Sequence, residues 1–170
     1  MKELYYNFII EGSNRGFTYL RIDDNALFSH THFILPNEVV ITNIFNLKLN
    51  EGKIISCKHN DLEEVTMSNL PKDHYPGCAY PLFIENLKES EYSYTQISED
   101  DGTPTGVYTL SKEGKDIVEK CCDRESRRFT LENNIINRID WGGAISEICP
   151  GPSSAIEGSK VNFNVQKCKK

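Results

Sequence analysis

The segment Phe28-Ser-His-Thr-His-Phe33 places two histidines two positions apart in a run that reads as a β-strand. Side chains at that spacing project from the same face, so His30 and His32 stand together. A metal centre would need that geometry and a third ligand, which His59, His74 or an acidic residue could supply. Phe28 and Ile34 share the same face, however, and favour a histidine pair lining a semi-polar cavity or an exposed edge over a metal site. The stretch Glu119 to Arg128 is the densest polar run. It carries Cys121 and Cys122 on opposite faces of a strand, with Arg124, Arg127 and Arg128 close enough to lower a thiol pKa. No histidine beside them supplies a base, so a hairpin with a salt-bridged tip is the simpler reading. Arg138-Ile-Asp-Trp-Gly-Gly-Ala-Ile-Ser146 holds the sole tryptophan, and its two glycines predict a bulge that re-aims the strand. Trp141 is then a core anchor or, functionally, the floor of an apolar pocket.

Motifs for other chemistries are missing. There is no Gly-x-Gly-x-x-Gly, no phosphate-binding loop ending in Gly-Lys-Ser/Thr, and no Gly-x-Ser-x-Gly elbow. The six cysteines are irregularly spaced, without a Cys-x-x-Cys pair, and a chain of 170 residues needs no disulfide framework. They read as mostly reduced thiols. A net charge of −6 with no basic stripe argues against a nucleic-acid partner. No run of about 18 apolar residues occurs, so no membrane span is expected. The opening MKELYYNFII reads as a first strand rather than a signal peptide. The expectation is a cytoplasmic protein, or an extracytoplasmic one if a leader was removed. No cofactor and no metal is called for.

The elements that must position these residues are strands. Leu4 to Ile10, Phe17 to Ile22, Ala26 to Leu35, Glu38 to Leu49 and Lys53 to Lys58 are β-rich runs separated by short turn-forming segments. Connections so short imply antiparallel pairing. From Asp61 to Tyr80 the pattern lapses into a loop, with a possible helical turn at Asp61 to Met67, and Pro81 to Ser90 predicts a short helix opening on its proline. Strands resume over Tyr92 to Ser98, Gly106 to Ser111, Asp116 to Cys122, Arg127 to Glu132, Ile135 to Trp141 and Ala144 to Ile148. After Cys149 come a Pro/Gly/Ser linker and a tail in which Val161, Phe163 and Val165 alternate as one more strand would.

The second run of strands echoes the first. EGSNRGFTYL at Glu11 returns as DGTPTGVYTL at Asp101, and FNLKLNEGKIIS at Phe45 as FTLENNIINRID at Phe129. The offset shortens from 90 to 84 positions, as a shorter connection in the second half would cause. The fold class is therefore mostly β: an antiparallel meander sheet curled into a barrel or half-barrel, built from two similar halves with one short helix between them. One domain spans 1–149, with halves at about 1–60 and 91–149, a linker at 61–90, and a linker and terminal strand or tail at 150–170.

The tyrosine-rich first strand, the Gly-x-x-x-Gly hairpin, the strand end Leu20-Arg-Ile-Asp-Asp-Asn25 and the following strand with Ser29 resemble LolA/LolB-type lipoprotein-carrier half-barrels and the related β-domains that precede some bacterial hydrolases. The resemblance covers roughly Leu4 to Ile148. It implies acyl chains or other apolar ligands held in a concavity. The chain departs from secreted members in having no signal sequence or lipid-anchor cysteine near its start.

Two functions follow. The first is a non-enzymatic binding protein that holds an apolar or amphipathic small molecule in a β-concavity lined by Phe28, His30, His32, Phe45, Tyr94, Phe129 and Trp141. The second is an interaction or assembly domain that presents a sheet edge or face to another protein, a homodimer mate among the candidates. An enzyme using His30 and His32, or the Cys121/Cys122 region, ranks third.

Overall fold

The computed structural model describes residues 1–151. The first run of strands is β1 (Lys2–Ile10), β2 (Ser13–Ile22), β3 (Ala26–Ile34), β4 (Val40–Asn50), β5 (Lys53–His59) and the two-residue β6 (Val65–Thr66). The second is β7 (His74–Pro76), β8 (Glu91–Ile97), β9 (Pro104–Glu113), β10 (Asp116–Cys121), β11 (Arg124–Glu132), β12 (Ile135–Asp140) and β13 (Ile145–Cys149). Between β7 and β8 lies a compact plug: a 3₁₀ turn at Gly77–Ala79, the single-turn helix α1 (Tyr80–Phe83), and a second 3₁₀ turn at Ile84–Asn86.

Local chemistry sets the hairpins. Glu11-Gly12, Glu51-Gly52, Cys122-Asp123 and Asn133-Asn134 each put two successive residues at positive φ. That is the backbone of the two-residue turn whose twist matches antiparallel strands. Alternation sets the faces: in β1, Leu4, Tyr6, Phe8 and Ile10 are buried while Tyr5, Asn7 and Ile9 are half-buried.

All thirteen strands form one sheet in the order β6-β5-β4-β3-β2-β1-β13-β12-β11-β10-β9-β8-β7. The chain thus starts in mid-sheet, where β1 pairs with β13, for example Tyr6 with Ile148. Each run then occupies one side of that seam. Every pair is antiparallel except β7 with β8, which is parallel, so the expected pure meander holds up to that edge strand. The edges β6 and β7 follow each other in the chain, joined by residues 67–73. The sheet is not closed into a barrel. Side chains join its two sides instead: His59 Nδ1 lies 2.5 Å from Asp100 Oδ1, and Leu27, Leu47 and Cys57 pack with Cys78, Ala79 and Ile97.

The middle of the chain departs from the sequence expectation. Asp61 to Tyr80 holds the two short edge strands, and no helical turn forms at Asp61 to Met67. The helix begins at Tyr80, with Pro81 in its first turn where a missing N–H costs nothing. It ends after one turn, and Leu87 is already extended at φ −64° and ψ 118°. Tyr80 and Ile84 explain the brevity: both are buried against Tyr94, Leu110, Ile117, Phe129, Ile136 and Ile139, so the segment is shaped by the sheet it fills. Each such side chain contributes about 1.5–3 kcal/mol by leaving water. Polar contacts fix the plug to the seam. Lys2 pairs with Glu85, whose Oε1 accepts the Ile136 N–H at 3.2 Å, and the Tyr6 hydroxyl donates to Ile136 O at 2.7 Å.

Gly142-Gly143 is a tight turn between β12 and β13 rather than a bulge. Gly142 has φ 95°, Trp141 N–H donates to Ala144 O at 2.9 Å, and the pairing of β12 with β13 keeps one register. The alternation at Val161 to Val165 lies outside the described residues.

Candidate functional site

A cavity of about 490 Å³ opens on the face of the sheet that the plug partly fills. Both runs of strands build it. Ser29, Thr31 and Phe33 alternate inward along β3, Asn43 and Phe45 along β4, and Phe8 comes from β1. From the second run come Gln96, Glu99, Tyr108, Glu119, Ser126, Arg127 and Trp141, and the plug adds Gly77, Cys78 and Tyr80. The register explains the first wall, because Ser29 sits opposite Phe45 and Leu20, and paired residues share a face.

Gly16 makes room for that wall. It lies between Phe8 and Phe33 in register. A Cβ built on it would come within 2.1 Å of His32 O and 2.6 Å of the Phe33 Cα and Cβ. With no side chain there, the rings of Phe8 and Phe33 meet over the glycine at 4.3 Å, nearly parallel at 20°. The second glycine of the Gly-x-x-x-Gly phrase is thus a site of close approach.

The opposite wall carries a buried ion pair. Glu119 and Arg127 face each other across the β10–β11 hairpin, with Nε donating to Oε1 at 2.8 Å and Nη2 to Oε2 at 2.9 Å. The Tyr94 hydroxyl donates to Oε2 at 2.6 Å and the Ser126 hydroxyl to Oε1 at 2.8 Å. Arg127 Nη1 donates to Gly77 O at 3.2 Å, tying sheet to plug. The guanidinium lies 5.0 Å from the Tyr80 ring, 5.1 Å from Phe129 and 5.6 Å from Trp141. Burial alone would push the Glu119 carboxyl up, but the charge and donors of Arg127, with Tyr94 and Ser126, hold it below the usual carboxylate range. Burial and the adjacent Glu119 charge push the Tyr94 phenol up, so it stays a donor. The pair is neutral as a unit and saturated with partners, an arrangement that orients a wall rather than one poised to transfer protons.

The remaining polar groups gather where the two runs meet. Glu99 Oε1 accepts the Cys78 N–H at 3.0 Å. Gln96 Nε2 donates to the Tyr94 hydroxyl at 3.3 Å. His59 stacks on Phe45 at 4.4 Å and contacts Asn43 Oδ1 through Nε2 at 3.0 Å.

Of the residues expected to line a concavity, Phe45 and Trp141 lie on this cavity. Trp141 is 36% exposed, so it is a wall rather than a core anchor, and its indole N–H donates to Ser146 Oγ at 2.9 Å. Tyr94 and Phe129 are buried one layer behind, holding Glu119 and Arg127. Phe28, His30 and His32 lie on the other face, because they alternate with Ser29, Thr31 and Phe33. There Phe28 packs with Tyr19, Tyr5 and Ile44, His30 meets Phe17 edge-on at 5.2 Å, and His32 stacks on Phe17 at 5.6 Å. His32 Nδ1 contacts Thr42 Oγ1 at 2.9 Å, and burial lowers the His32 pKa. Among the described residues no three His, Cys, Asp or Glu side chains group as a metal site would require.

The Cys121/Cys122 region is a hairpin tip. The two sulfurs stand 3.9 Å apart. Arg127 turns inward to Glu119, and Arg128 is engaged by Asp116 at 3.0 Å and Glu125 at 2.8 Å. Local burial and the Cys122 thiol push the Cys121 pKa up, away from nucleophilic activation.

Sequence reasoning placed Glu119 and Arg127 only in a salt-bridged hairpin tip, and did not reach Glu99, Gln96 or Tyr108 as site residues. A signal for the first two existed: Glu119 shares the parity of Ile117, Arg127 that of Phe129, and the four stand opposite one another about the Cys122-Asp123 tip. Comparison of the chain with protein-family models, with curated proteins and with solved structures found no match.

Proposed function

We propose that the protein is a non-enzymatic binding module whose sheet curls as a half-barrel from two similar halves and holds an apolar or amphipathic small molecule in the cavity between them. The observation that carries the reading is the cavity itself. Its volume of about 490 Å³ falls within the range of small-molecule sites, and aromatic rings wall it with a few placed polar groups. The cyclic strand order supports the curl, since breaking an up-and-down barrel between β6 and β7 yields the observed sequence of neighbours. The echoing phrases support the two halves: Gly12 and Gly102 lie in the connections β1–β2 and β8–β9, and Gly16 and Gly106 in the strands that follow. A ligand class shared with the lipoprotein-carrier half-barrels is part of this proposal.

Edge pairing with another protein is the weaker reading. The two edges are only two and three residues long, too short to template a partner strand.

The test uses an uncharged apolar dye, N-phenyl-1-naphthylamine, whose emission rises in a dry site. Saturable binding to the unaltered protein is expected. Ser29→Phe, which puts a ring into the cavity, should abolish it while leaving the thermal midpoint within a few degrees. Dye binding that ignores a filled cavity in a folded variant would refute the assignment.

A further inference from the structure

The polar groups that face the cavity differ in whether they are already satisfied. Three of the lining residues carry charge: Glu119, Arg127 and Glu99. The first two neutralise each other through two direct hydrogen bonds. Glu99 has no cationic partner among the described residues, and the cavity therefore carries one uncompensated negative charge. Its one contact through Oε1 is the Cys78 N–H, which leaves the second carboxylate oxygen to a ligand. Just outside the lining Asp100 is held by His59, and no basic side chain beyond Arg127 is contributed to the cavity.

Gly77 shows how closely Glu99 and Gln96 stand together. A Cβ built on it would lie 3.1 Å from Gln96 Cδ, 3.2 Å from Gln96 Nε2 and 3.2 Å from Glu99 Oε1, so the carboxylate and the Gln96 amide flank one small space. Phe45 and Tyr108 add ring faces to the same enclosure. A carboxylate without a countercharge beside aromatic faces is what a cationic nitrogen seeks, through charge-assisted hydrogen bonds and ring quadrupoles. A carboxylate or phosphate head would meet like charge instead.

Resting on the cavity reading above, we propose that the ligand is a single-chain amphiphile with a cationic amine head, its ammonium at Glu99 and its apolar body against Phe8 and Phe33. The volume agrees with one chain: 490 Å³ corresponds to about 16 water volumes.

Three probes with the same ten-carbon chain separate the possibilities: decylamine, 1-decanol and decanoate, each titrated against Trp141 emission and confirmed by displacement of N-phenyl-1-naphthylamine. On the unaltered protein at pH 7, decylammonium should bind roughly ten-fold more tightly than decanol, and decanoate more weakly than both. Glu99→Gln keeps an oxygen for the Cys78 N–H and should bring decylammonium down to the affinity of decanol. Equal affinities for the three probes, tightest binding of decanoate, or an amine preference that survives in folded Glu99→Gln would overturn the cationic assignment and leave the cavity standing. If none of the probes binds or displaces the dye, the cavity reading falls and this one with it. The order of the three on the unaltered protein decides the matter even where the variant fails to fold.

Discussion

Arg127 is the residue whose removal should cost the fold most per atom lost. Take Arg127→Met, which keeps the apolar stem against Tyr80 and Phe129 and deletes the guanidinium. Glu119, whose residue is 1% exposed, is then left with two hydroxyl donors, Tyr94 and Ser126, and no countercharge. Stranding one member of a buried pair costs about 3–5 kcal/mol. For a chain of this size that lowers the thermal midpoint by roughly 6–20 °C. Glu119→Gln should cost less, about 1–2 kcal/mol. Arg127 keeps the Gly77 carbonyl and its three aromatic neighbours, and desolvated cation–ring contacts are worth up to about 2 kcal/mol. Replacing both, as Glu119→Leu with Arg127→Met, should recover most of the loss, because a buried pair and an apolar pair of similar volume are nearly equivalent.

The pH dependence gives the sharper check. In the unaltered protein Glu119 is held below its ordinary value, so its contribution is present above the carboxylate range and is lost as pH falls through it. Without Arg127, burial dominates and the folded-state pKa rises above the unfolded one. The carboxyl then holds its proton when folded, and Arg127→Met should gain stability relative to the parent as pH is lowered from 7 toward 5, a window in which Glu119 gives the parent no slope. Urea unfolding followed by Trp141 emission at both pH values reads this directly. A loss below 1 kcal/mol, or a variant with the parent's pH slope, would show that Glu119 is not carried by Arg127.

Three further outcomes are expected. Burial lowers the His32 pKa, so the unfolded chain takes up a proton first. Stability should fall as pH drops below the ordinary histidine value of 6.5, and His32→Asn should flatten that part of the urea-midpoint profile. Gly16→Ala would drive a methyl into the His32 carbonyl and the Phe33 backbone; unfolding by urea should show a loss of several kcal/mol, against a few tenths for Gly12→Asn at a turn with open space around it. Phe28→Ala, on the face away from the cavity, should cost about 3–5 kcal/mol in the same assay yet leave dye affinity unchanged in the folded fraction.

Much of the strand pattern was legible because alternation and turn chemistry are local. Glu11-Gly12, Glu51-Gly52 and Asn133-Asn134 announce their hairpins within two residues. The middle of the chain was not, because what shapes Gly77–Asn86 is the packing of Tyr80 and Ile84 under strands far away in sequence. The site was legible in part for a related reason. Alternation says that Ser29 and Phe28 part company, but only cross-strand register says which of them faces the plug, and one step of register exchanges the two faces. His30 and His32 drew attention by their type and fell on the far face together, whereas Phe45 and Trp141 reached the cavity.

Charge placement then bears on which ligand the proposed cavity would prefer. The densest polar run in the sequence spends its inward-facing charges on each other, so Arg127, the cation a sequence reader would offer to an acidic ligand, is already taken by Glu119. Glu99 sits at the end of the β8 side, where residues 98–102 bend toward the first run and Asp100 reaches His59. Its carboxylate is fixed by a backbone N–H of the plug rather than by a side-chain cation. A carboxylate held in that way keeps its charge directed at the cavity without being neutralised there. On the proposed reading, the contact that ties Glu99 to the plug fixes the charge a head group would meet, so Glu99→Gln should change selectivity before it changes stability.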